Sequence, residues 1–117
     1  MIRIFVPEAS PSLNKYAYAH WRVQHRDKER WGDMLFYACA RVSAPKAIGR
    51  RRVIVERYGK RALDPDNGAG GCKIILDGLR KLGMLVDDND RFVELVFRNM
   101  KLERGEKPHT AIWLEDL

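Results

Sequence analysis

Residues 91–99, RFVELVFRN, alternate strongly. Val93, Leu95 and Phe97 fall on one side, and Phe92, Glu94, Val96 and Arg98 on the other. A period of two over this length marks a strand with one face toward a core. Such a strand needs a sheet, and the sheet needs an apolar layer to cover it. Residues 108–115, PHTAIWLE, read as the last strand, and Gly105 marks the turn before it. The two segments together are expected to form a hairpin.

The remaining segments supply the rest of an α+β domain. Residues 1–7, MIRIFVP, read as a first strand with Ile2, Ile4 and Val6 on one face. Residues 8–14, EASPSLN, read as a loop, because Pro7 and Pro11 block regular structure. From about Ala17 to Val42 the spacing predicts a long helix, with Trp31, Met34, Leu35, Ala38 and Val42 as its apolar stripe. Residues 50–58, RRRVIVERY, read as a strand covered in part on both faces. Residues 59–67 read as a polar loop. A second helix is predicted from Gly71 to Leu82, buried through Ile75, Leu76, Leu79 and Leu82 and stopped by Gly83. The order is strand, helix, strand, helix, strand, strand. It predicts a single domain over 1–117: a mixed sheet of about four strands with two main helices packed on it.

The chain carries 22 Lys+Arg against 16 Asp+Glu, a net charge of +6. A basic small domain favours polyanionic partners, nucleic acid above all; the plain alternative is a solvated surface rich in cations. No stretch is apolar for long enough to cross a bilayer. The start, MIRIFVPEASPS, lacks the apolar run of a signal peptide, so a cytoplasmic location is expected. Cys39 and Cys72 show no CxxC spacing and read as small, buried, reduced residues. With His20, His25 and His109 they are too scattered for a zinc site.

Acidic residues concentrate in one window of this basic chain. Between Asp64 and Asp90, 27 residues hold six of the 16 acids: Asp64, Asp66, Asp77, Asp87, Asp88 and Asp90. In an extended segment, positions i and i+2 point to the same side. Pro65 stiffens the pair around it, so Asp64 and Asp66 can face one point. Two such carboxylates repel unless a cation lies between them, and a hard oxygen site suits Mg²⁺ or Mn²⁺. The acids Asp87-Asp88 would close that site if the fold brings both ends of the second helix to one edge of the sheet. The competing reading is local: DPDNG is a strong turn signature, and DDND a solvated turn before a strand.

The window has a wider pattern. It reads Asp64-Pro65-Asp66-Asn67, then Lys73-Ile74-Ile75-Leu76-Asp77, then Asp87-Asp88, then Val93-Glu94-Leu95. This resembles the RusA family of Holliday-junction resolvases, encoded largely by phages and prophages. Pro11-Ser12-Leu13-Asn14-Lys15-Tyr16 is similar to the loop after that family's first strand, and the order of elements agrees along nearly the whole chain. The resemblance implies a RusA-like fold and essential carboxylates at Asp64, Asp66 and Asp88. It implies Mg²⁺ dependence, with Mn²⁺ able to substitute, and Lys73 near the scissile phosphate. It also implies a homodimer that nicks a four-way junction in pairs, in a bacterial or phage-infected cell. One departure is plain. Gly68-Ala69-Gly70-Gly71 lengthen the gap from Asn67 to Lys73, so Lys73 is placed by its distance to Asp77. Three glycines also predict a loop that is mobile without metal or DNA.

Phosphodiester hydrolysis needs an activated water and neutralised phosphate charge, which a divalent metal supplies. Binding needs cations beside the acids. Residues 46–61 hold seven cations against Glu56 alone. Arg50, Arg52, Lys60 and Arg61 from this stretch, Arg22 and Arg26 from the first helix, and Asn14, Lys15 and Tyr16 from the first loop are the expected DNA contacts, made mainly to phosphates. Two other readings compete: a catalytically inactive branched-DNA-binding protein with the same fold, and a metal-binding protein unrelated to DNA.

Overall fold

The computed structural model describes residues 1–17 and 20–117, with the backbone alone at Tyr16 and Ala17. The elements run β1 (Ile2–Val6), α1 (Leu13–Ala17), α2 (Trp21–Arg41), β2 (Arg51–Tyr58), α3 (Pro65–Gly71), α4 (Lys73–Lys81), β3 (Val93–Met100) and β4 (His109–Asp116). The four strands make one mixed sheet in the order β1-β4-β2-β3. This is the predicted α+β class.

The expected hairpin of the last two strands does not form. β4 lies between β1 and β2, antiparallel to both, with Ile4 opposite Ile112 and Val53 opposite Leu114. β3 pairs with the other edge of β2, parallel to it, with Val53 opposite Leu95. Burial explains this order. Val53, Ile54 and Val55 are all buried, as are Thr110, Ala111 and Ile112. Such continuous apolar runs suit central strands, covered on both faces. β3 carries exposed Arg98 and Asn99, and charged residues suit an edge strand.

α2 and α4 cover one face of the sheet. Trp31 and Leu35 from α2 and Ile75 and Leu79 from α4 meet Ile4, Val6, Val55 and Ile112 in one core. Each such side chain taken fully from water contributes about 1.5–3 kcal/mol. The α2 stripe follows the expected residues except at its end, where Val42 is exposed. α4 also buries Ile74, beyond the predicted set. Both cysteines are buried and free, as their spacing suggested.

Two local expectations are overturned. The supposed first loop contains α1. The supposed glycine loop is α3, a helix with Asp64 as its N-cap and Pro65 at its first position. Its glycines serve close approach rather than mobility. A Cβ on Gly68 would collide with the Phe97 ring, one on Gly70 would press Leu13, and one on Gly71 would collide with the Pro11 carbonyl. α3 therefore lies tight between β3 and the first loop.

Arg51, expected as a surface cation, is 1% exposed. Its Nε donates to Asp116 Oδ1 at 2.7 Å, its Nη1 to the Met84 carbonyl at 3.0 Å and its Nη2 to the Pro45 carbonyl at 2.9 Å. A buried cation so fully partnered belongs to the scaffold.

Candidate active site

The chain leaves β2 at Tyr58 and reaches the acidic turn at once. Leu63 anchors that turn to β3. The Leu63 N–H donates to Asn99 Oδ1 at 3.1 Å, and Asn99 Nδ2 donates to the Leu63 carbonyl at 2.7 Å. Asp64 follows, with extended backbone, and its Oδ1 accepts the Asn67 N–H at 2.9 Å. Asp66 stands in the first turn of α3, exposed to solvent. So Asp64 and Asp66 flank a helix start rather than alternate along an extended segment. The free N–H groups there favour negative charge and offset part of their repulsion.

Asn67 joins this turn to the first loop, because its Oδ1 accepts the Asn14 N–H at 3.2 Å. Leu13, Asn14, Asp64, Pro65, Asp66 and Asn67 line one open cleft of about 410 Å³. The fold thus brings together two motifs that are fifty residues apart in the sequence. The Tyr16 side chain, also expected here, lies outside the described residues.

Asp88 does not reach that cleft within one chain. Its turn adjoins the start of β3, where the Asn89 carbonyl accepts the Val93 N–H. Leu63 is fastened near the other end of the same strand, at Asn99. Six residues of strand between Val93 and Asn99 span about 20 Å. Among the described residues, no three His, Cys, Asp or Glu side chains stand close enough together to hold a metal ion. Within one chain, Asp88 is thus not brought together with Asp64 and Asp66. What remains is the pair Asp64 and Asp66. Such a pair fits Mg²⁺, which keeps several waters and uses one or two carboxylates plus substrate phosphates.

Asp87 serves its own turn. It accepts the Asp88 N–H at 2.8 Å and Asn89 Nδ2 at 3.2 Å. The Asp88 carboxylate is left exposed. Lys73 is exposed at the first position of α4, seven residues beyond Asp66.

The expected DNA cations divide into free and committed. Lys15, Arg22, Arg26, Lys60 and Arg61 are exposed. Arg22 lies over the Trp21 ring at 5.3 Å. Arg50 is exposed too, with its Nε 3.4 Å from the Asp90 carbonyl. Arg52 is committed: it pairs with Glu94 and Glu115, each at 3.0 Å, on the open face of the sheet. Its pKa is raised, first by the hydrogen bond to Glu94. Arg30, four residues beyond Arg26 on α2, pairs with Glu8 at 2.7 Å and Asp27 at 2.8 Å. The Glu8 pair ties the middle of α2 to the segment that follows β1. Glu8 also presents its carbonyl to Thr110 Oγ1, at the end of β4 that faces Arg57. Arg30 is therefore held at the same end of the sheet as the Asp64 turn.

Sequence reasoning missed three residues at this end: Arg57, Asn99 and Lys101. Asn99 and Lys101 carry no motif. Arg57 was one cation among seven, with nothing in the spacing to single it out. No family model matches the chain, and no curated protein matches it either.

Proposed function

We propose that the chain is a metal-dependent endodeoxyribonuclease of the RusA type, acting on branched DNA such as a four-way junction. The observation that carries this reading is the meeting of the Asp64–Asp66 turn with Leu13 and Asn14 of α1 in one cleft, at the carboxyl ends of β2 and β3. In open sheets with parallel strands, ligands gather outside the carboxyl ends. Exposed Lys15, Arg22, Arg26, Lys60 and Arg61 stand at this end and suit a phosphate backbone.

Asp64 and Asp66 would hold Mg²⁺, or Mn²⁺ in its place. The metal supplies charge neutralisation on the phosphate and acidifies a bound water. Asp64 is kept in position by Asn67, and Asn67 by Asn14. Lys73, at the start of α4, offers an exposed cation to phosphate. Asp88 enters such a site only from a second copy of the chain, as a homodimer on a symmetric junction would permit.

The test is cleavage of a labelled four-way junction and of matched duplex, in Mg²⁺ and in EDTA. Nicking of the junction in Mg²⁺ alone is expected. Asp66→Asn should abolish cleavage and keep binding. Normal nicking by that variant would remove the assignment. The second reading, a branched-DNA-binding protein without cleavage, is favoured by the separation of Asp88 from the Asp64 turn. It predicts junction binding in EDTA and no product in Mg²⁺.

A further inference from the structure

Arg57 is a partly buried cation with which, among the described residues, no carboxylate is paired. Its Nε donates to the Ser10 carbonyl at 2.7 Å and its Nη1 to the Arg61 carbonyl at 2.8 Å. Arg30, Arg51 and Arg52 each hold at least one carboxylate; Arg57 holds carbonyls only. Charge taken from water without a counter-charge is costly. Burial alone pulls the Arg57 pKa below the usual guanidinium range. Gly59 packs directly on the guanidinium, and a Cβ there would collide with it.

Arg57 lines a cleft of about 440 Å³ with Lys60, Arg61, Asn99 and Lys101. No carboxylate lines this cleft. It therefore gathers four cations and no counter-charge of the protein's own. Asn99, on its wall, grips Leu63 through both ends of its amide, and Leu63 directly precedes Asp64. The cleft thus runs up to the acidic turn.

We propose that this cleft is a phosphodiester-binding subsite, in which Arg57, Lys60 and Lys101 hold the backbone of a nucleic-acid strand on its approach to the Asp64–Asp66 turn. The proposal rests on the nucleic-acid reading above but not on cleavage. Arg57 supplies the inner charge, and Lys60 and Lys101 supply mobile charges at the rim. Contacts of this kind are blind to base sequence.

The experiment measures binding of a labelled oligothymidylate of about twenty nucleotides in EDTA, over a range of salt. Because Arg57 also ties two loops together, the first variant is Lys60→Ala with Lys101→Ala, which leaves those ties intact. It should lower affinity about tenfold and reduce the slope of log K against log salt by about two. The control is Lys28→Ala with Lys81→Ala, which removes the same charge elsewhere and should leave the slope near that of the parent. Gly59→Ala keeps every charge but displaces the guanidinium, and should lower affinity about fivefold. Equal slopes for the cleft variant and the control would overturn the proposal. A chain that binds as described but leaves a junction uncut in Mg²⁺ keeps the subsite and loses the nuclease. One that cuts while the cleft variant keeps the parent slope loses the subsite alone.

Discussion

The two ends of the sheet differ in almost every physical respect. At the carboxyl ends of β2 and β3 lie Asp64, Asp66, the Arg57 cleft and the exposed Lys15, Lys60 and Arg61. At the opposite end, apolar side chains reach solvent: Val42 is 47% exposed, Val86 46% and Ile48 99%. An apolar groove of about 290 Å³ opens there, lined by Phe36, Ala40, Leu82 and Met84 among others. Each end also has an acidic turn, and the turns are built differently. Asp64 caps a helix and is tied to β3 and to the first loop. The Asp87–Asp90 turn is held mainly by its own side chains, with one further bond from Arg50 Nε to the Asp90 carbonyl. The lesson is that two turns equally rich in aspartate are anchored differently. What separates them within one chain is how many other elements converge on them.

The largest expected effect is on cleavage. Asp66→Asn and Asp88→Asn should each lower junction cleavage about a hundredfold or more, if the second copy supplies Asp88. Mixing the two inactive proteins should then restore part of the activity, read on the same labelled junction. A fully active Asp88→Asn protein would break the parallel between the turns and leave Asp64 and Asp66 as the working pair.

Packing comes next. Gly71→Ala places a methyl on the Pro11 carbonyl and should destabilise the fold by about 1–3 kcal/mol in urea unfolding. An unchanged midpoint would mean that α3 does not hold the first loop as closely as described. Smaller still is the capping effect. Asp64→Ala removes an N-cap bond and should cost about 1 kcal/mol. Asp88→Ala, at an exposed side chain, should stay within about 0.5 kcal/mol. Equal losses would erase the structural difference between the turns.

The last contrast concerns pH. Cys72, at the junction of α3 and α4, is buried, and burial pushes its thiol up to about 12. Burial also raises Cys39, near the other end of the sheet. A raised thiol pKa means the folded chain holds the proton longer than the unfolded one. This stability is full below about pH 8.5, the unfolded thiol value, and is lost as pH rises through the folded one. Unfolding midpoints at pH 8 and pH 10 should therefore differ, and Cys72→Ala should narrow the gap.

Much of the scaffold was legible because burial follows period. The stripe of α2, the alternation of β3 and the triple burial in β2 can each be read from residue types alone. Strand order could not be read from adjacency, since β3 and β4 are neighbours in sequence and separated in the sheet by β2. The triple Val53-Ile54-Val55 was a clue to a central strand, since such a run suits a strand covered on both faces. α3 was hidden by its own composition. Gly, Pro, Asn and Asp signal a turn, yet glycine is also what permits a helix to touch Phe97 and the Pro11 carbonyl. The motif Asp64-Pro65-Asp66-Asn67 was readable, and its contact with Asn14 was not, because a single backbone hydrogen bond leaves no pattern. The ion pairs of Arg52 were hidden for a related reason: its partners Glu94 and Glu115 become neighbours only once the sheet is assembled.

The placement of β4 has a consequence for how the chain comes off the ribosome. β1 joins the sheet through β4 alone, with Ile2 opposite Leu114. β1 must wait for β4, far along the chain, before it finds a partner. Until residues 109–116 emerge, Ile4 and Val6 have no seat and one edge of β2 stands open. Long-range pairing of this kind slows folding and exposes unpaired strands during synthesis.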